Sequence, residues 1–91
     1  MTDKIINTVL EYYDIKREYL FSNKTTYDIV HARKIAMYFL RVKTTMKLSS
    51  IGLLFKRTDC TVSNLIKPIF ESKNKYIKRQ LVEIEYLIDK K

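Results

Sequence analysis

The sequence predicts an all-α fold, a compact bundle of five to six helices that contains a helix-turn-helix. Glycine and proline occur once each, so the Asn-Gly and Gly-Gly turns that join strands in sheet proteins are absent. Apolar residues recur at spacings of three, four and seven, which is the helical period. The stretch from Ser49 to Lys67 holds a short apolar helix, a tight polar turn and a second helix that opens on small hydrogen-bonding residues. That is the layout of a helix-turn-helix, whose second helix reads bases.

Each element follows from its own pattern. Ile5, Ile6, Val9, Leu10 and Tyr13 form one stripe behind Thr2 as a cap, with Asp3 where a helix N-terminus favours negative charge, so a first helix is expected over about residues 3–14. Ile15 to Phe21 reads as a short second helix, and Ser22 to Thr26 as a polar loop without apolar anchors. From Tyr27 to Val42 the apolar positions Ile29, Val30, Ala32, Ile35, Ala36, Phe39 and Leu40 cover so much of the girth that several neighbours must bury it; this is the expected central helix. Ile51, Leu54 and Phe55 give the next helix its buried face. Val62, Leu65, Ile66, Ile69 and Phe70 define the one after, and Ile77, Leu81, Ile84, Leu87 and Ile88 a closing helix. Pro68 removes a bond to the carbonyl of Asn64 at a cost of ~3 kcal/mol, so a kink or restart is expected near Lys67.

Ninety-one residues, 46% of them apolar, make one small domain over 1–91, able to bury about 60–65% of its unfolded surface. The 18 Lys and Arg exceed the 10 Asp and Glu, and a net charge of +8 points to a polyanionic partner. A single cysteine, Cys60, cannot close an internal disulfide, and with one histidine no Cys/His metal site can be assembled, so no cofactor is expected. The longest apolar run, Ile35 to Leu40, falls far short of the ~18 residues that span a bilayer. The expected setting is therefore cytoplasmic and nucleoid-associated, with neither membrane nor small-molecule substrate as partner. No nucleophile–base pair or carboxylate dyad is visible, which argues against an enzyme.

Three separated matches in register resemble a known family. Thr8-Val9-Leu10-Glu11-Tyr12-Tyr13-Asp14-Ile15-Lys16 with Leu20, then Ala32-Arg33-Lys34-Ile35-Ala36-Met37, then Ile51-Gly52 with Phe55 are similar to the C-terminal DNA-binding domain of the bacterial replication initiator DnaA, whose fold resembles the Trp repressor. The family's signature is Phe, one or two small residues, then Arg-Asp-His-Ser/Thr-Thr-Val at the start of the recognition helix. The stretch Phe55-Lys56-Arg57-Thr58-Asp59-Cys60-Thr61-Val62 keeps Phe55, Arg57, Thr61 and Val62. Thr58, Asp59 and Cys60 stand where the family has Asp, His and Ser or Thr, and Thr25 stands where the family's loop carries an Arg that enters the minor groove. These departures bear on which DNA is read rather than on the fold. No Gly-x-x-x-x-Gly-Lys-Ser/Thr loop occurs, so the family's ATPase portion is not expected in these residues.

The resemblance and the pattern together nominate contacts. Thr58, Asp59, Cys60, Thr61, Ser63 and Asn64 are the base-reading candidates: Asn pairs with adenine, Asp accepts from cytosine, and Thr or Ser serves several edges. One of Thr58 and Asp59 is expected to cap the helix. Arg57, Lys56, Lys67, Lys24, Thr25, Arg33, Lys34, Lys43 and Lys47 are the candidates for phosphate contact, fixing register rather than sequence. His31 is placed on the polar side of the central helix as a surface residue. Lys73, Lys75, Lys78 and Arg79 read as solubilising charge.

The expected function is thus a stand-alone, sequence-specific binder of double-stranded DNA in replication control or transcription. The alternative is a family remnant acting through protein contacts, as a homodimer or on a host replication protein. The altered Thr58-Asp59-Cys60 and Thr25 favour that rival; Arg57, Thr61 and the charge oppose it.

Overall fold

The computed structural model describes residues 2–90, which form six helices: α1 (Thr2–Tyr13), α2 (Arg17–Leu20), α3 (Tyr27–Lys43), α4 (Leu48–Phe55), α5 (Asp59–Glu71) and α6 (Lys75–Lys90). The apolar stripe of each helix turns inward. Ile5, Ile6 and Val9 of α1, Leu20 of α2, Ile51 and Phe55 of α4, Val62, Ile66 and Ile69 of α5, and Ile84 and Ile88 of α6 all join one buried cluster. At its centre lie Ala32, Ile35, Ala36, Met37, Phe39 and Leu40 of α3, which packs against α1, α2, α4 and α5. The two alanines keep the girth of α3 small where its neighbours converge. The closing helix α6 packs on α1.

Two helix ends share one device. Asp14 ends α1 in the left-handed conformation (φ 54°), and Lys56 ends α4 in the same way (φ 58°). In each, the following amide reaches back five residues, Ile15 to the Leu10 carbonyl at 3.0 Å and Arg57 to the Gly52 carbonyl at 2.7 Å. This closes carbonyls that a helix terminus leaves unpaired. Neither position is glycine, so both carry the steric cost of a side chain at positive φ.

Two details differ from the sequence expectation, and at Pro68 one of its two alternatives, a restart, is set aside. Thr2 lies within α1, its hydroxyl 3.7 Å from the Met46 sulfur, so it does not precede the helix as a cap. No new helix starts at Pro68: α5 runs through it to Glu71. Pro68 is exposed and sits one turn from the helix end, where it forfeits a single bond. Phe70 is 54% exposed and meets the Tyr38 ring edge at 4.9 Å, at the border of the core rather than in it.

Candidate nucleic-acid interface

The turn between α4 and α5 is three residues, Lys56, Arg57 and Thr58, and its tightness rests on Gly52. A Cβ on Gly52 would collide with the Arg57 carbonyl oxygen and lie 3.3 Å from the Arg57 and Thr58 carbonyl carbons. Backbone atoms of this kind cannot swing aside, so only glycine lets the turn cross so close to α4. On the far side, Thr58 caps α5: its hydroxyl oxygen accepts the Thr61 amide at 3.2 Å and lies 2.9 Å from the Thr61 hydroxyl. Asp59 Oδ1 accepts the Cys60 amide at 2.9 Å, which adds a carboxylate where the helix dipole favours one. Thr58 is the cap residue, as one arm of the sequence reading held.

The first two turns of α5 present a polar face. Thr58, Asp59, Cys60 and Asn64 are exposed, and Thr61 and Ser63 are half-buried. Val62, Ile66 and Ile69, on the opposite side, anchor the helix in the core. The six residues singled out from the sequence therefore share the end of one helix. Asn64 has no hydrogen bond from its side chain to another described residue, and its amide is free to pair with an outside edge.

The basic candidates divide. Lys24, Lys47, Lys56 and Lys67 are exposed, Lys34 is half-buried, and none forms an ion pair among the described residues; Thr25 is exposed on the loop between α2 and α3. Arg33 corrects the sequence expectation. It is 4% exposed, and its guanidinium donates inward to the carbonyls of Leu20 (2.9 Å), Ser22 (2.8 Å), Lys24 (3.2 Å) and Tyr19 (3.4 Å). Burial and the nearby Arg57 guanidinium together lower its pKa. Arg57 also turns inward, donating to the carbonyl of Phe55 at 2.6 Å and that of Ser22 at 3.4 Å. Two arginines thus converge on the Ser22 carbonyl from α3 and from the turn. Together they hold the 22–26 loop against the helix-turn-helix, while Phe21 stacks on Phe55 at 4.9 Å beneath them.

Lys43 is already engaged within the fold. Its Nζ lies 3.3 Å from Asp89 and 3.6 Å from Glu85 of α6, so its charge is already met by carboxylates on another helix. His31 is more than a surface histidine: its Nε2 lies 2.9 Å from Gln80 Oε1, and its ring meets the edge of Tyr13 at 5.5 Å and stacks on Tyr27 at 5.9 Å. Tyr27, the first residue of α3, remains 84% exposed. The structural role of Arg33 had a readable signal, because Ile29, Arg33, Ala36 and Leu40 fall on one stripe at helical spacing. A charge on an apolar stripe is buried only with partners, and here backbone carbonyls supply them.

Among the described residues no group of His, Cys, Asp and Glu could hold a metal ion, and no helix is long and apolar enough to cross a membrane.

Comparison with known proteins agrees with this arrangement. Residues 2–69 match the family described as the bacterial DnaA protein helix-turn-helix. The chain is 38% identical over 73 residues to the chromosomal replication initiator protein DnaA of Aquifex aeolicus, an alignment covering 79% of this chain and 18% of that protein. It is 34% identical over 88 residues to the Thermoanaerobacter protein of the same name, covering 93% of this chain and 20% of the relative. For DnaA 1 of Chlamydia pneumoniae the identity is 35% over 66 residues, 72% of this chain and 14% of that one. The chain therefore spans no more than a fifth of the length of these relatives. The family match over most of the chain, on a six-helix fold with this tight turn and capped second helix, shows that the chain belongs to the bacterial DnaA helix-turn-helix family.

Proposed function

We propose that the 91 residues act as one domain that binds double-stranded DNA, with the start of α5 in the major groove. The observation that carries this is the polar face made by Thr58, Asp59, Cys60, Thr61, Ser63 and Asn64, with Lys56 in the turn before it and Lys67 further along the same helix, neither in an ion pair among the described residues. Asn64 and Thr61 are assigned to base edges, and Lys24, Lys34, Lys47, Lys56 and Lys67 to phosphates. Thr25, on the clamped loop, follows the backbone beside the minor groove. Arg33 and Arg57 hold the geometry: they keep the loop and the turn in one fixed relation, so both meet the duplex in register. The Asp59 carboxylate lowers affinity for phosphate and acts as a filter on sequence.

In the cell this reading makes the protein a DNA-associated regulator, acting on replication initiation or on transcription. A fluorescence titration of a duplex carrying the family's DNA box, against a scrambled duplex of equal composition at two salt concentrations, tests it. Tighter, salt-sensitive binding to the box supports a competitor for initiator sites. Equal but salt-sensitive binding supports DNA binding with another target, to be found by site selection. No binding to either would overturn the proposal in favour of action through protein contacts.

A further inference from the structure

Helix α6 carries an outward stripe that the DNA-binding reading does not use. Its buried side is Ile84 and Ile88, with Ile77, Leu81 and Leu87 half-buried beside them. Val82, 69% exposed, and Tyr86, 62% exposed, stand on the other side at i and i+4. With Leu87 and Tyr12 they line one continuous, mostly apolar groove, and a contiguous apolar surface of this kind marks an interaction site. The charges around them are largely segregated: Lys75, Lys78 and Arg79 lie in the first half of the helix, Glu83, Glu85 and Asp89 in the second, with Lys90 as the basic residue of the last turn. Basic charge at the start of the helix, and acidic charge over most of its second half, oppose the helix dipole except at Lys90, so the stability of the isolated helix does not account for the order. Lys43 accounts for part, by reaching Glu85 and Asp89. Lys75 and Lys78 have no acidic partner among the described residues, and Arg79 meets only Glu83, four residues on.

We infer that this stripe is the interface of a symmetric dimer in which α6 of one copy packs antiparallel on α6 of a second. A two-fold axis through Val82 makes the interface self-complementary, as an isologous contact requires. In that pairing Val82 meets Val82, and the basic half of each helix lies along the acidic half of its mate. At 100° per residue, Lys78 and Glu85 fall on the same side of the stripe, and an antiparallel two-fold brings them together across the interface twice. On the other side Arg79 of the mate reaches the Tyr86 ring, where Lys90 of the same chain already lies 5.7 Å from the centroid, so the ring gathers cation–π contacts. Lys75 and Asp89 lie near the centre line at matching levels. The dipoles of the two helices also run head to tail, which relieves the terminal charges that oppose them. The inference goes beyond DNA binding and does not depend on it, because α6 packs on α1 whereas α5 packs on α3 and α4.

Sedimentation of the full chain over a range of concentrations, without DNA, tests this. The mass of the wild-type protein is expected to rise from one chain to two. Lys78→Glu and Glu85→Lys each place like charges across the interface twice and are expected to weaken the dimer about tenfold or more. An equimolar mixture of the two variants restores both bridges as a heterodimer and is expected to recover the mass of two chains. If Glu85→Lys loses helicity through its contact with Lys43, Lys78→Glu alone carries the test. A wild-type protein that stays monomeric, single variants that dimerise as well as wild type, or a folded mixture that stays monomeric would each overturn the inference.

Discussion

Replacing Arg33 by alanine removes a side chain whose guanidinium ties four carbonyls, those of Tyr19 and Leu20 at the end of α2 and of Ser22 and Lys24 in the loop that follows. The Leu20 carbonyl belongs to a fully buried residue and loses its partner outright; a buried acceptor left unpaired costs about 1–3 kcal/mol. The Lys24 carbonyl lies in an exposed stretch and regains water, and Ser22 keeps the longer bond from Arg57. Removal of a charge that is desolvated and repelled by Arg57 returns part of the loss. The net expectation is a destabilisation of about 1–2 kcal/mol, which for a domain of this size lowers the melting temperature by roughly 4–16 °C. Arg33→Lys keeps the charge but not the planar fork that spans several acceptors, and is expected to lose most of the same stability. Urea unfolding of both variants, beside the wild type, is the assay. Unfolding midpoints that correspond to less than about 0.5 kcal/mol for either variant would refute the clamp. So would an Arg33→Ala protein of unchanged stability whose affinity for DNA falls with a shallower salt dependence, since that is the signature of a direct phosphate contact.

The turn and the far surface give further tests. Gly52→Ala forces the backbone of Arg57 away from α4 and is expected to cost at least about 1–3 kcal/mol in thermal unfolding, with a loss of DNA affinity at temperatures where the fold persists. Lys56→Gly relieves a left-handed lysine and is expected to stabilise by about 0.5–1 kcal/mol while weakening DNA binding by one phosphate contact; an unstable variant would contradict the strain. Burial and a hydrogen bond to Glu83 push the Tyr12 phenol up to about 12 from its ordinary value of 10.0. A raised phenol pKa favours the folded state below the unfolded value, so this contribution is whole below pH 10 and is lost as pH rises towards about 12. Phenolate absorbance during alkaline titration of wild type and Tyr12→Phe reads it: the variant is expected to lose amplitude near pH 12, and a loss near pH 10 instead would contradict the shift.

Most of the helices were legible because their burial is one-sided. The stripes of α1, α5 and α6 recur at helical spacing, and the dense apolar girth of α3 marked it as central. The helix-turn-helix was legible from the short apolar helix, the tight polar turn and the small hydrogen-bonding residues that open the second helix, which are local features. What the sequence left unread depends on contacts far along the chain. Arg33 is buried because carbonyls from residues 19–24 face it across the loop, and Lys43 is neutralised because α6 returns past the end of α3. The apolar stripe that carries Arg33 signals its burial, but neither residue shows by itself which partners it meets. Phe70 follows the apolar spacing of α5 yet lies at the rim, since α5 outlasts the surface it packs on. The polar face at the start of α5 was read correctly as one cluster in space, and its contact with bases is the part still to be measured.

The most direct measurement is the salt dependence of duplex binding by the wild type, Lys67→Ala and Asn64→Ala. Five lysines on phosphates give a slope of log affinity against log salt of about −4 to −5 for the wild type. Lys67→Ala is expected to make that slope shallower by about one on every sequence, and Asn64→Ala to leave it unchanged while flattening the preference between sequences. Wild-type slope and wild-type preference in both variants would contradict the placement of α5 in the groove.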